Sequence, residues 1–454
     1  MLYEEFLTTV DNYEKEICEI SDYLYDNPEL GFEELKASKK ITDFLESQGF
    51  TVERGVANIP TAFKATFGNS APKIGVLAEY DGLASMSQKG AVAVKESIEG
   101  LDKCHGCGHN LFAGGSVGAV LAIKSYIEKT GKGTITLFGC PAEEGGAGKV
   151  FMVRDGVFDG TDAIVSHHPE TMYMVRTRPA LANVKVNYEF TGLASHAGAN
   201  PDKGRSALDA LELMNIGANF LREHMPLTAR VHYAILDAGG TAPNMVQSHA
   251  VVRYLIRDVD GKSVRELKER VDKIAEGAAL MTETSVESKV VSAYSDLITI
   301  PTLQAVANDA MHDVPLPIAT EEEIAFGKAI RKTCKTDVDE NEYPFAEKVL
   351  DPAPPVAHGG STDTADVSWV CPTVQMHIAN WVKNTPGHSW QSASQSRGSY
   401  AKKAMLYSSK AVASTAIRLI ENPEYIKKAK AEHFEKTNGN YICPMPKDVL
   451  PEIK

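Results

Sequence analysis

The sequence predicts an α/β fold interrupted by a separate α+β unit, and three observations carry that reading. Short apolar runs closed by polar or Gly/Pro residues alternate with helical patterns before Asn183, a block with the order βαββαβ follows, and patterns of the first kind resume after Pro301. The expected divisions are 1–182 for the first part of one domain, 183–299 for an inserted domain and 300–454 for the second part of the first. A chain of 454 residues is long for a single core, which also favours two compact units.

Taken in order, the segment from Leu2 to Gln48 alternates charged and apolar residues at helical spacing, with a turn signal at Asn27-Pro28, and predicts two helices. KIGVLAEYDG, GTITLFGCPAEEGG and TDAIVSHHPE each read as a strand closed by polar residues, with a helix over Leu111–Lys129 between the first two. Those polar closures would lie at the carboxyl ends of strands, where open α/β sheets place their ligands. In the inserted block VKVNYEF, ARVHYAI, HAVVRYLIR and SVESKVV read as strands, and SALDALELMNIGANFLREH and SVRELKERVDKIAEGAALM as helices. That order commonly closes into a ferredoxin-like sandwich. VSWVCPTVQMHIANW and a long final helix from Tyr400 to Glu421 then complete the first domain.

Composition removes several classes. Apolar residues make up 43% and charged residues 24%, enough for a sizeable core. The net charge of −13, from 47 basic and 60 acidic side chains, comes without a basic cluster interleaved with aromatics, so nucleic acid is not an expected partner. An acidic, amphipathic N-terminal segment and the lack of any run of about 18 apolar residues make a cytoplasmic protein with no membrane partner the expectation. Seven scattered cysteines suit a reducing compartment rather than a disulfide framework.

The densest chemical signal is CHGCGHN, in which Cys107 and His109 stand two residues apart before a helix; thiolate and imidazole bind zinc-like ions. Alone it is weak, and the Cys104–Cys107 C-x-x-C lacks both the second pair of a zinc ribbon and a thioredoxin-like context. In PAEEGG, Glu143 and Glu144 follow an apolar strand, so their side chains would point to opposite faces: one could bind a metal and the other act as a general base. VSHHPE puts His167 and His168 at a strand end, and TPGHSW puts His388 in a turn. Each motif by itself reads as a polar turn; together they place potential ligands where one sheet edge could gather them.

The motifs DNPELGF, GVLAEYDGL, CGHN, PAEEGG, HHPE, SHAGANPDKGRSALDA, GGTAPNMV, GGSTDTADVSWV and TPGHSW occur in an order that resembles the aminoacylase and carboxypeptidase-G family of metallopeptidases and amidohydrolases. TPGHSW and the tail GNYICPMPKDV resemble that family's aminobenzoyl-glutamate hydrolase branch. The resemblance implies a mixed-sheet metallopeptidase-like catalytic domain whose insertion is a lid and dimerisation domain. It implies two divalent metal ions per subunit, zinc before manganese or cobalt, on Cys107, His109, Glu144, His168 and His388, with Glu143 as general base. Either His167 or His168 could be the ligand; the histidine directly before the proline, His168, is preferred. His196 and Asn244 match residues that reach the substrate, the histidine often from a partner subunit; Arg257 resembles an arginine that holds a substrate carboxylate, and Asp81 the acid that orients a ligand.

The expected activity is therefore hydrolysis of an amide bond in a small N-acyl amino acid, an aminobenzoyl-glutamate-like conjugate or a dipeptide. The alternative is a dipeptidase for β-alanyl or lysyl dipeptides, and behind it stand a non-catalytic scaffold and a thiol enzyme built on Cys107. A homodimer through the inserted domain is expected, and a heteromeric assembly with a different partner chain is the other possibility. Trp381 and Trp390 flank His388, but core packing is the expected use of these and of Trp369.

Overall fold

The computed structural model describes residues 3–334, 339, 342–352 and 360–453; Gly359, the first residue of the GGSTDTADVSWV motif, lies outside them. The larger sheet has eight strands in the order Thr51–Arg54, Phe63–Gly68, Thr134–Cys140, Lys73–Glu79, Ala163–Glu170, Thr373–Ala379, Tyr173–Val175 and Val349–Leu350. Its centre is parallel, from Thr134–Cys140 through Thr373–Ala379, while Phe63–Gly68 and Tyr173–Val175 join antiparallel. Parallel strands are covered on both faces, which is why IGVLA and AIV read as unbroken apolar runs and why Lys73–Glu79 is buried from Ile74 onward.

The helix His109–Thr130 packs against Ser399–Glu421. Glycines make the approach possible: a Cβ on Gly115 would stand 2.4 Å from Ser408 Oγ, and one on Gly118 2.5 Å from Ser409 Oγ. By length and composition this helix could cross a bilayer, but 89% of its most apolar window is buried in the protein core.

The inserted sheet runs Arg230–Asp237, His249–Asp258, Ala182–Thr191, Ser285–Tyr294, every pair antiparallel. In chain order this is strand two, three, one, four, and the helices Ala207–Leu221 and Gly261–Thr282 cover one face around a separate apolar core. Along Ala182–Thr191 and His249–Asp258 the even-numbered residues are buried, while Asn183, Lys185, Leu255 and Arg257 point the other way, toward the larger domain.

Three local expectations need correction. The N-terminal segment forms three helices, Glu4–Asn12, Glu14–Asp26 and Leu35–Ser47, because the backbone leaves helical geometry at Tyr13 (φ −107°, ψ 15°) while the same apolar face continues beyond it. Ser399–Glu421 is not the last helix, since Asn422 caps a further one, Pro423–Thr437. Glu143 and Glu144 do not end a strand: Thr134–Cys140 stops before Pro141, and both glutamates lie in a turn bounded by Ala142 (φ 58°) and Ala147 (φ 60°).

Candidate metal centre

At the carboxyl ends of the parallel strands the protein gathers side chains from four separate segments. Gly108 (φ 76°) takes a conformation that favours glycine, and a Cβ there would come within 3.0 Å of Pro169 and Trp381. That tight turn sets Cys107 in the loop and His109 on the first turn of its helix. Asp81, just beyond Lys73–Glu79, accepts from His109 Nδ1 at 2.8 Å through one carboxylate oxygen and from the Glu144 backbone N–H at 2.8 Å through the other. One buried carboxylate thus orients two of the expected ligands, leaving His109 Nε2 and Glu144 Oε1 buried without a hydrogen-bond partner.

Those two atoms belong to overlapping donor groups. The ligand atoms of Cys107, His109 and His168 lie within 4.8 Å of one another, and so do those of Cys107, Glu144 and His388. Cys107 Sγ is 3.5 Å from His168 Nε2, and His388 Nε2 is 3.4 Å from Glu144 Oε1. All five expected ligands are therefore brought together, with the Cys107 sulfur common to both groups. Two sets of mixed S, N and O donors joined by one thiolate suit a pair of borderline divalent cations. His388 holds a left-handed backbone conformation (φ 53°) in a non-glycine residue, a strain that commonly accompanies functional positions.

Strand alternation separates the two histidines. His168 faces the donors, with Nδ1 directed at the Pro169 carbonyl at 2.8 Å, whereas His167 points into the core beside Ser116. Burial, reinforced by His168, pulls His167 down to about 3; burial likewise pulls His168 down to about 4, which keeps its imidazole neutral and able to bind a cation. Burial and Glu144 push the Cys107 thiol well up, so no thiolate nucleophile arises from its protein surroundings.

Glu143 faces another way, in a third group with Glu79 and His109. Burial, then the charges of Glu79 and Asp363, push its carboxyl well above the usual range, making it a better proton acceptor than a free carboxylate. Sequence reasoning missed what lies beneath it. Buried Lys149 places Nζ 2.6 Å from Glu79 Oε1 and 2.5 Å from Asp363 Oδ1, and the other Glu79 oxygen is 3.2 Å from His109 Nε2. The only signal was a lysine within the apolar stretch GKVFMVR.

The donors open into a cleft of about 550 Å³ that also contains Glu170, Arg176, Arg178, Lys185, Arg257 and His377. A larger cavity, about 800 Å³, adjoins it beyond Glu144 and Gly145 but holds none of the other four ligands. His196 and Asn244 line neither space; they lie side by side in the inserted domain, where Ser195–His196 pairs with Met245–Val246 and the Asn244 carbonyl accepts from the Ala197 N–H at 3.0 Å. The tryptophans also stay out of the cleft: Trp381 is buried and donates to Ser396 Oγ, and Trp369 donates to the Asp296 carbonyl.

Residues 76–353 match the model of peptidase family M20/M25/M40, and the chain belongs to that family. Together with the donor set, this makes it a metal-dependent hydrolase of amide bonds. It is 42% identical to one of the two polypeptides of the p-aminobenzoyl-glutamate hydrolase of Escherichia coli, over 95% of each chain, and 26% identical to Xaa-Arg dipeptidase of Mus musculus, over 93% of this chain and 90% of that one. Among solved structures it resembles an aminobenzoyl-glutamate utilization protein of Klebsiella pneumoniae (TM-score 0.63, 18% identity, 92% and 98% of the two chains covered). A dinuclear metal-binding peptidase of Bacillus subtilis has the same fold (TM-score 0.60, 18% identity, 90% and 99% covered).

Proposed function

We propose that this protein hydrolyses the amide bond of a small N-acyl amino acid of the aminobenzoyl-glutamate type, using two zinc ions held by Cys107, His109 and His168 on one side and Cys107, Glu144 and His388 on the other. The observation that carries the reading is the shared Cys107 sulfur between two donor groups. Such ions supply Lewis-acid polarisation of a carbonyl and acidify a water. The chain's own part follows from its geometry. Asp81 holds His109 and Glu144 in place. Glu143, near the donors but outside their two groups, takes the proton from the attacking water at its carboxylate and returns it to the departing amine nitrogen. Arg257, on the inserted sheet where it faces the cleft, holds the substrate α-carboxylate.

His196 and Asn244 act from a second copy of the chain, as donors to the scissile carbonyl oxygen. Supporting this, both sit on the inserted domain away from their own cleft, and that domain ends in the strand Arg230–Asp237, paired on one side only and exposing Tyr233, Ile235 and Leu236. A homodimer in the cytoplasm is proposed, with a heteromer containing a different partner chain as the other form of assembly. The second reading, a dipeptidase, is favoured by the likeness to the Xaa-Arg enzyme.

The test is a hydrolysis screen over p-aminobenzoyl-glutamate, N-acyl amino acids and β-alanyl and lysyl dipeptides, before and after dialysis against a chelator. Turnover of the acyl-glutamate that is lost on chelation and restored by zinc is expected. Turnover indifferent to chelation would overturn the metal reading, and turnover of dipeptides alone would select the second one.

A further inference from the structure

Arg176 stands out among the cations of the cleft. It follows the short strand Tyr173–Val175, and its backbone N–H is fixed on the Gln375 carbonyl at 2.9 Å. Its side chain is held twice more: Nη1 donates to Gln375 Oε1 at 2.7 Å and Nε to the Arg178 carbonyl at 3.3 Å. A further anchor, Gln304 Nε2, donates to the Arg176 carbonyl at 3.0 Å. The head group is thus built in rather than swinging in solvent, yet no carboxylate among the described residues lies within 4 Å of it. Its nearest acid in charge terms, Glu170, accepts from the Thr171 N–H instead. A guanidinium withdrawn from water and fixed by neutral acceptors carries uncompensated charge and keeps unused donors, the arrangement that receives an anionic ligand.

Its surroundings add to that charge. Arg178 lines the same wall of the cleft, and Lys185 faces it from the inserted sheet, directly opposite Leu255 and two residues along from Asn183, whose cross-strand partner is Arg257. Lys185 makes no ion pair among the described residues either, and burial together with Arg253 lowers the pKa of its ammonium group. The carboxylates of this cleft are Glu143, Glu144 and Glu170, of which the first two belong to the metal end.

We propose that Arg176, supported by Arg178 and Lys185, forms a second anion subsite beside that of Arg257, so that the substrate is an N-acyl dicarboxylic amino acid with a carboxylate on its side chain as well as on its α-carbon. This rests on the metal-cleft reading under Proposed function. It separates the two kinds of relative by charge: a glutamate side chain neutralises Arg176, and an arginine side chain meets it with like charge. A planar guanidinium engages a carboxylate with two parallel hydrogen bonds, which an uncharged amide of the same shape cannot reproduce.

The experiment compares kcat/KM of the zinc-loaded protein on N-benzoyl-L-glutamate, N-benzoyl-L-glutamine and N-benzoyl-L-arginine, with calorimetric binding of the same three compounds as a readout that needs no turnover. The wild-type protein should favour glutamate over glutamine by about 10²-fold, mostly in KM, and accept arginine least. Arg176→Gln should bring the glutamate-to-glutamine ratio close to one, and Arg176→Lys should restore part of it. A purely structural role would lower both substrates together and leave the ratio intact, which overturns the proposal. So does wild-type protein that treats glutamate and glutamine alike or prefers arginine, a result independent of how the variants fold. If no compound is hydrolysed the amidohydrolase reading fails, and the subsite then stands or falls on whether glutamate binds more tightly than glutamine.

Discussion

Replacing Lys149 with methionine should destabilise the protein more than any change at the cleft surface. The ammonium group is fully buried, 2.6 Å from Glu79 Oε1 and 2.5 Å from Asp363 Oδ1. At an effective dielectric near 20, each contact is worth about 6 kcal/mol of attraction, most of it offset by the cost of taking the three charges out of water. Burial alone would discharge the lysine, but Asp363 and Glu79 outweigh it and hold its pKa well above the ordinary lysine range. Methionine fills similar volume and leaves two carboxylates facing each other with Glu143 close by, so the expected loss is about 3–5 kcal/mol, the usual consequence of stripping a buried charge of its partner. Urea unfolding followed by circular dichroism, in equal excess zinc, measures it. The double variant Lys149→Met with Asp363→Asn has the net charge of the wild-type network and should recover about 1–3 kcal/mol. A single variant within about 0.5 kcal/mol of wild type, or a double variant no better than the single, would refute this account of the network.

Two further predictions concern the donors and the assembly. Cys107→Ala should take the bound zinc from two ions per chain to one or fewer, measured by metal analysis after gel filtration, because its sulfur belongs to both donor groups; an unchanged stoichiometry would remove Cys107 from the centre. Glu143→Gln should keep both ions while losing about 10²–10⁴ in kcat, and mixing it with inactive His196→Ala should restore activity in heterodimers. Verified mixed dimers that stay inactive would place His196 outside the partner's site.

The parts legible in the sequence were those set by short-range rules. Period-two and continuous apolar patterns located the parallel strands and the βαββαβ block, and turn residues located CGHN, PAEEGG and TPGHSW. Alternation required that only one of His167 and His168 face the site, but which one depends on which face of the sheet Phe112 and Ser116 cover, a property of the packed helix. The break at Tyr13 was invisible because the apolar face runs across it. Lys149, Glu79 and Asp363 come from three elements far apart in the chain, and a lone lysine in an apolar helix reads locally as a surface residue. Arg176 and Arg178 left a faint trace, two arginines spaced by one residue just after an apolar run.

The charges left over once these networks are satisfied define a direction along the cleft. At one end Glu144, Asp81 and Glu79 crowd around Cys107 and His109, and Lys149 offsets only part of their charge. That end attracts divalent cations and repels a free carboxylate. At the other end Arg176, Arg178, Lys185 and Arg257 outnumber the single Glu170. A substrate with one amide and one cluster of carboxylates then has a single favourable orientation, its acidic amino acid toward the arginines and its amide carbonyl toward the donors. Correct positioning of the reacting bond follows from binding energy at atoms that do not react. Reversing the sign at Arg176 should therefore damage orientation as well as affinity, whereas lengthening the acyl group should be tolerated wherever it extends away from the basic end.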